Sequence, residues 1–424
     1  MTALPVRIVA IGDELLEGRT SDTNSTRIQR ALFPHAVEVK DIAVVPDLEK
    51  VIATALDRTE PGDVVFICGG LGSTRDDLTR ESIAAWAGVL LQFREDLAAE
   101  LDERRRRHGY KRSVEGDKQA LVPVGMMPVI NPVGSAPGLV GTLKQRRLAV
   151  LPGVPSEVEG LLPGVLAALE ELGALPPARE TRLWRTAQMG ELAVARLTEP
   201  IRERFPNLHW SWWIVEWGVD VRVGCDPGQE EDLRTASAEV GQALGNLCYS
   251  NEMVDLPRVV QELMVSRGLK LAVAESCTGG LLGTAITSQD GSSAYHLGGI
   301  LSYANEVKTS LLDVDPRDLE EHGAVSRPVA ERMARGVRIR LGADYSLSVT
   351  GIAGPAGGTE EKPVGTTWIA LAGPEGVRAG RFRFGARRAM NRQLAVAAAL
   401  DILRRALQGH ELFDPERLTW GKES

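Results

Sequence analysis

The sequence predicts an α/β protein of three domains. These are a mostly parallel sheet with helices on both faces over residues 1–170, a small α+β domain over 171–255, and a three-layer α/β/α domain over 256–424. Three observations lead there. In both outer parts, apolar runs of strand length alternate with amphipathic segments of helix length, the pattern of right-handed βαβ units. Glu170-Glu-Leu-Gly-Ala-Leu-Pro-Pro-Ala-Arg179 reads as a helix end followed by a Pro-rich linker. A chain of 424 residues also exceeds what one hydrophobic core usually serves.

Composition narrows the function classes. Hydrophobic residues at 43% and charged residues at 25% are those of a globular domain protein. A formal charge of -8 argues against general nucleic-acid binding. No run of about 18 apolar residues occurs, and the N-terminus enters a strand directly, so a cytosolic protein is expected. Cys68, Cys225, Cys248 and Cys277 show no paired spacing, which fits reduced thiols rather than a disulfide framework or a zinc site.

In the first domain, Val6–Gly12, Val37–Val45 and Asp63–Gly70 read as strands, and Ser25–Leu32 and Leu48–Arg58 as helices. Ligands in such sheets sit beyond the carboxyl ends of the strands. Four loops fall there: Asp13–Gly18, Leu71–Leu78, Asn131–Gly138 and Leu151–Glu157. Gly70, Gly72, Ser135 and Gly153 are the candidates for close approach to a phosphate. Asp13, Asp22, Asp76 and Asp77 could hold a hard divalent cation through oxygen ligands, or serve only as helix caps. Neither a Walker A run nor G-x-G-x-x-G occurs, against an ordinary nucleoside triphosphatase or dehydrogenase.

The middle domain reads as a strand (Thr181–Gln188), a helix (Glu191–Arg204), two strands and a helix (Glu230–Leu247). His209-Trp-Ser-Trp-Trp-Ile-Val-Glu-Trp217 puts four tryptophans in nine residues. Without interleaved Lys or Arg, these suit a core or a subunit interface better than base stacking.

In the last domain, Leu269–Glu275 is a buried strand that stops at Ser276-Cys-Thr-Gly-Gly280, ahead of a helix from Leu281. Ser276 therefore faces a helix N-terminus, where it could cap the helix or act beside free N–H groups suited to an oxyanion or a phosphate. Gly298–Tyr303 and Asp344–Thr350 are further strands. Val259–Arg267 and Arg327–Leu341 are helices, Thr366–Ala372 with Val377–Phe384 a hairpin, and Ala386–Leu407 a closing helix. No histidine follows a strand end here and G-x-S-x-G is absent, so a Ser-His-Asp triad has no support. Lys308, on a mostly apolar helix after the neighbouring strand, is either a solvated side chain or a base of depressed pKa.

Two sets of motifs resemble one family. Gly12-Asp-Glu-Leu-Leu-Glu-Gly18 with Asp22-Thr-Asn24, and Gly69-Gly-Leu-Gly-Ser-Thr-Arg-Asp-Asp-Leu-Thr79, are similar to the N-terminal, molybdopterin-binding-like domain of the CinA family. Ser73 stands where the family usually has proline, and Cys68 where it has threonine. Ala274-Glu-Ser-Cys-Thr-Gly-Gly280, Tyr303-Ala-Asn-Glu-Val-Lys308, Thr350-Gly-Ile-Ala-Gly-Pro355 and Lys362-Pro-Val-Gly365 resemble its C-terminal domain, which also stands alone as the nicotinamide mononucleotide deamidase PncC.

The resemblance implies two activities. One is a metal-dependent ADP-ribose pyrophosphatase (Mg, Mn or Co) in the first domain, giving AMP and ribose 5-phosphate. The other is a metal-free amidohydrolase in the last, giving nicotinic acid mononucleotide and ammonia. In the second, Ser276 is the nucleophile and Lys308 its base, while Tyr303 and Thr350 orient or polarise the reacting groups. The oxyanion faces the N–H groups of Cys277, Thr278, Gly279 and Gly280. Arg387, Arg392 and the loop from Gly351 to Gly354 hold the phosphate. The family's G-D-R-x-x-V-R is here Gly385-Ala-Arg-Arg-Ala-Met-Asn391, lacking the Asp and the second Arg. A homodimer is implied, with a KH-like middle domain that carries no G-x-x-G clamp and hence no implied RNA binding. The competing readings are a molybdopterin-binding protein and a non-catalytic partner in DNA uptake or recombination.

Overall fold

The structure, a computed structural model, describes residues 4–35, 37–107, 114–385 and 387–413. The chain forms two compact units, Met1–Arg179 and Glu180–Ser424.

In the first unit, strands β1 (Leu4–Ile11), β2 (Val37–Val45), β3 (Val64–Cys68), β4 (Met126–Val129), β5 (Gly138–Leu143) and β6 (Arg146–Leu151) form one sheet of order β2-β1-β3-β6-β5-β4. The first four strands of that order are parallel and the last two antiparallel. β3 is central and buried along its whole length, so its five residues Val-Val-Phe-Ile-Cys are all apolar. Helices α1 (Asn24–Leu32) and α4 (Pro155–Glu171) cover one face, and α2 (Glu49–Asp57) and α3 (Thr79–Ala87) the other, each over its own apolar cluster. The antiparallel edge is not foreseen in the sequence. The β5–β6 hairpin turns at Lys144-Gln145, both at positive φ (44° and 61°), without the Asn-Gly or Asp-Gly that announces such turns.

The second unit holds two sheets. β7 (Thr181–Ala187), β8 (His209–Val215), β9 (Gly218–Gly224) and β10 (Cys248–Ser250) are antiparallel in the order β8-β9-β7-β10, with α5 (Glu191–Arg204) and α6 (Glu230–Leu244) packed beside them. The tryptophan run lies on the edge strand β8. Trp210 and Trp212 stack at 6.1 Å, Arg222 lies over Trp213, and only Trp217 is buried.

The larger sheet contains β11 (Leu271–Glu275), β12 (His296–Leu301), β13 (Tyr345–Gly351), β14 (Thr366–Gly373) and β15 (Gly376–Arg383), in the order β12-β11-β13-β14-β15. The first three are parallel. Helices α7 (Leu256–Ser266), α8 (Leu281–Thr287) and α11 (Arg388–Gln408) pack on one face, and α9 (Asn305–Leu312) and α10 (Arg327–Leu341) on the other. This is the expected three-layer arrangement. α7 begins three residues before the expected Val259, because Pro257 sits in its first turn, where a missing N–H costs nothing. The chain leaves β11 to one side for β12 and returns to its other side for β13. A crevice therefore opens at the carboxyl ends of β11 and β13, beside Ser276. Among the described residues no helix is long and apolar enough to cross a membrane.

Candidate functional site

Glu275 closes β11 with its side chain fully buried. Its carboxylate accepts from Gly280 N (2.9 Å), Leu282 N (3.1 Å) and Gly283 N (2.8 Å), the free donors at the start of α8. Sequence reasoning left that duty to Ser276 or Thr278; neither caps the helix. To bring the helix end back onto Glu275, the chain takes positive φ at Gly279 (58°) and Gly280 (95°), which only glycine adopts readily.

This wrapping decides which groups stay available. Gly279 N donates to Ser276 O (3.1 Å) and Gly280 N to Glu275, so the four expected oxyanion donors reduce to two. Among the described residues, Thr278 N meets no protein acceptor, Cys277 N meets only its own thiol, and the Ser276 hydroxyl makes no hydrogen bond. The Cys277 thiol is pushed up to about 12 by burial and stays protonated, so it does not compete as a nucleophile.

Lys308 is 1% exposed and has no carboxylate partner among the described residues. Its Nζ donates to Ser302 O (2.7 Å) and Tyr303 O (3.1 Å), at the end of β12. Ser302 N in turn donates to Glu275 O (2.8 Å), which places this cluster directly beside the strand end that carries Ser276. Burial pulls the lysine below its ordinary range, against smaller opposing effects of Cys277 and Glu306. Two carbonyl acceptors match the two N–H bonds of a neutral amine and leave its lone pair free to take a proton. No hydrogen bond joins Lys308 to Ser276 among the described residues.

Tyr303 is exposed, and its hydroxyl accepts from Arg388 (3.4 Å). Thr350 is buried and donates to Ala324 O (2.8 Å), like Ser346 and Ser348 below it on the α10 face of β13. Its hydroxyl hydrogen thus fixes the strand end and is not directed at Ser276. Gly351 and Gly354 follow. A side chain at Gly351 would sit 3.1 Å from the Cys277 sulfur, and Gly354 O accepts from Arg388 (2.9 Å). Arg392 donates to Thr278 O (2.6 Å). Arg387 is exposed and makes no side-chain hydrogen bond among the described residues. The arginine that faces the loop with Arg392 is Arg388, which the sequence reading missed. Residues four apart share a helix face, and 388 with 392 satisfies that spacing where 387 with 392 does not.

In the first unit, the loops after β1, β3 and β6 surround a cavity of about 710 Å³. Gly70, Gly72, Ser135 and Gly153 all line it, as do Asp22, Asp76 and Asp77. The four expected carboxylates do not converge, and among the described residues no three His, Cys, Asp or Glu side chains gather as a metal group. Local structure accounts for this. Asp22 accepts from Ser25 N (3.0 Å) and the Ser25 hydroxyl at the start of α1. Asp77 accepts from Gly72 N (2.8 Å), Thr74 N (2.7 Å) and Thr74 Oγ1 (2.6 Å). Asp13 is outside the lining and donates its N–H to Asp47 (3.1 Å). Asp47, unremarked in the sequence, is the acidic centre. Burial raises its pKa, the Asp13 N–H opposes this, and the charges of Asp13, Glu14 and Asp77 add to the rise. Among the described residues, Asp13, Asp22, Asp76 and Asp77 do not form a four-carboxylate ligand set.

Comparison with known proteins follows the same division. Residues 254–407 match the CinA C-terminal domain and residues 7–171 a probable molybdopterin binding domain. A CinA-like protein of Anaeromyxobacter sp. is 38% identical over 418 residues, 96% of this chain and 100% of the relative. One from Citrifermentans bemidjiense is 37% identical over 406 residues, 95% of this chain and 97% of the relative. The crystal structure of the competence/damage inducible protein CihA from Agrobacterium tumefaciens is 41% identical, covers 36% of this chain and 93% of its own, and has a TM-score of 0.35.

Proposed function

The chain belongs to the CinA family, and from that premise we propose that its C-terminal site is a serine–lysine amidohydrolase acting on nicotinamide mononucleotide. The observation that carries the reading is Lys308, a buried amine with no carboxylate partner among the described residues, held by two carbonyls beside an unbonded serine. Lys308 accepts the Ser276 proton as Oγ attacks the carboxamide carbon. The tetrahedral oxyanion is met by Cys277 N and Thr278 N. As the C–N bond breaks, Lys308 returns the proton to the leaving nitrogen and ammonia departs. Water then attacks the acyl-enzyme with Lys308 as base, and nicotinic acid mononucleotide leaves. Arg388 and Arg392 supply cationic donors for the substrate phosphate. The test is ammonia release by the full chain and its Ser276→Ala and Lys308→Ala variants; wild-type turnover in both sinks the dyad.

A second reading concerns the first unit, where the cavity supports hydrolysis of ADP-ribose to AMP and ribose 5-phosphate. A divalent cation enters this reading only as a component of the assay. Full-length protein is incubated with ADP-ribose with and without Mg²⁺, Mn²⁺ or Co²⁺. If AMP forms in none of these, the cavity is a binding site alone.

A further inference from the structure

Arg80 is among the largest fully buried side chains of the molecule, at 0% exposure. It sits at the start of α3, directly behind the Leu71–Asp77 loop that walls the cavity. No carboxylate is in ion-pair contact with it among the described residues, the charges of Glu81 and Asp77 act on it from further off, and its Nε has no hydrogen-bond partner. A buried guanidinium whose carboxylates are not in contact with it is costly, so its persistence calls for a physical reason.

The guanidinium donates to Leu71 O (2.8 Å) and Gly72 O (3.4 Å). Lys118, which pairs with Glu81 (3.2 Å), also donates to Thr74 O (3.2 Å) and Asp77 O. Four carbonyls of one short loop are therefore turned onto two cations. In a trans peptide the N–H points opposite to the preceding C=O, so the N–H groups of Gly72, Ser73, Arg75 and Leu78 are turned away from those cations. Gly72 N is taken by Asp77, whereas Ser73 N and Arg75 N meet no protein acceptor among the described residues, and Ser73 lines the cavity. Glu14, Asp22 and Asp47 also line the cavity, with Asp76 and Asp77 of the loop itself, and these carboxylates suit the hydroxyl groups of a ligand.

We propose that Arg80, seconded by Lys118, is the positioning residue of an anion cradle. It holds the 71–77 loop with the N–H groups of Ser73 and Arg75 unpaired, and these donors, with the positive charge behind them, meet a phosphoryl group while the carboxylates of the lining take sugar hydroxyls. The proposal rests on the reading of this cavity as a phosphate-ester site and names the wall and the residue responsible.

The test is titration calorimetry of the full chain with ADP-ribose, for wild type, Arg80→Met, Arg80→Lys and Lys118→Met. NMN deamidation and thermal unfolding report whether each variant folds. Arg80→Met is expected to weaken binding about tenfold or more, with Arg80→Lys and Lys118→Met intermediate. Binding by wild type should weaken with added salt more steeply than binding by Arg80→Met, a difference that a merely structural role would not produce. Folded Arg80→Met that binds within twofold of wild type overturns the proposal while leaving the cavity reading intact. Absence of binding by wild type overturns the cavity reading and the proposal with it.

Discussion

The two candidate sites are built on the same plan and come out differently. Each lies at the carboxyl ends of parallel strands, in loops that lead into helices. In the first unit the conspicuous aspartates are engaged locally: Asp22 holds the start of α1, and Asp77 holds its own loop. In the second unit a buried glutamate takes the corresponding task, so the serine that follows it keeps a free hydroxyl. A residue at a strand end is available for chemistry only when some other group satisfies the helix that comes after it.

The sharpest way to break this contrast is to remove each group and ask what is lost. Ser276→Ala should lower NMN deamidation by about a thousandfold or more without changing thermal stability, since its hydroxyl holds nothing. An equal fall in melting temperature would return Ser276 to a structural role. Glu275→Gln should do both kinds of damage. It removes one acceptor from a site that binds three N–H groups, costing about 1–3 kcal/mol in denaturant unfolding. Turnover should drop about tenfold to a hundredfold as Cys277 N and Thr278 N lose their setting.

The acidic limb of kcat/KM sharpens the same contrast. Lys308 must be neutral to act, and burial lowers its pKa, so activity should rise about tenfold per pH unit below that pKa. The limb should level off at a pH below the ordinary lysine range. For stability the sign is the same: as pH falls below that ordinary range, the unfolded chain takes up the proton more readily, and the fold loses stability. A limb that continues to rise to the ordinary lysine range would exclude Lys308 as the base.

Smaller effects separate neighbours. Arg388→Ala should raise KM for NMN about tenfold, and Arg387→Ala should leave it within twofold, because only Arg388 reaches Gly354 and Tyr303. In the first unit, Asp77→Ala should cost about 1 kcal/mol of stability as a lost loop cap, whereas the exposed Asp76→Ala should cost almost none.

Strands were legible where they are buried on both sides. Val64–Cys68 is a continuous apolar run inside the expected Asp63–Gly70, whereas the edge strand Val37–Val45, mostly exposed and carrying Glu38, Lys40 and Asp41, lies at its expected bounds without that signal. The β5–β6 hairpin was not legible, because Lys144-Gln145 carries no turn chemistry. Ser276 and Lys308 stood out as residue types at strand ends, and the resemblance joined them as a pair. Glu275 was hidden by its own position. As the last residue of an apolar strand it reads as a surface exception, and only its three N–H partners reveal what it does. Asp22 and Asp77 show the reverse: an aspartate three or five residues from its partner N–H is indistinguishable in sequence from a ligand.

The order in which the second site is assembled follows from how far apart its parts lie along the chain. Ser276 and Lys308 lie within one stretch of chain from β11 to α9, and the contact that joins their strand ends, Ser302 to Glu275 O, spans 27 residues. Arg388 and Arg392 reach Tyr303 and Thr278 across 85 and 114 residues. Contacts of that span form late and carry the larger loop-closure cost. During synthesis the ribosome releases the serine and the lysine well before the helix that carries the arginines. A chain arrested between β13 and α11 would lack both the arginines and the helix whose Ala395–Leu407 packs against Leu271, Val273, Cys277 and Leu282, so the strand end that carries Ser276 is set only when the last helix docks.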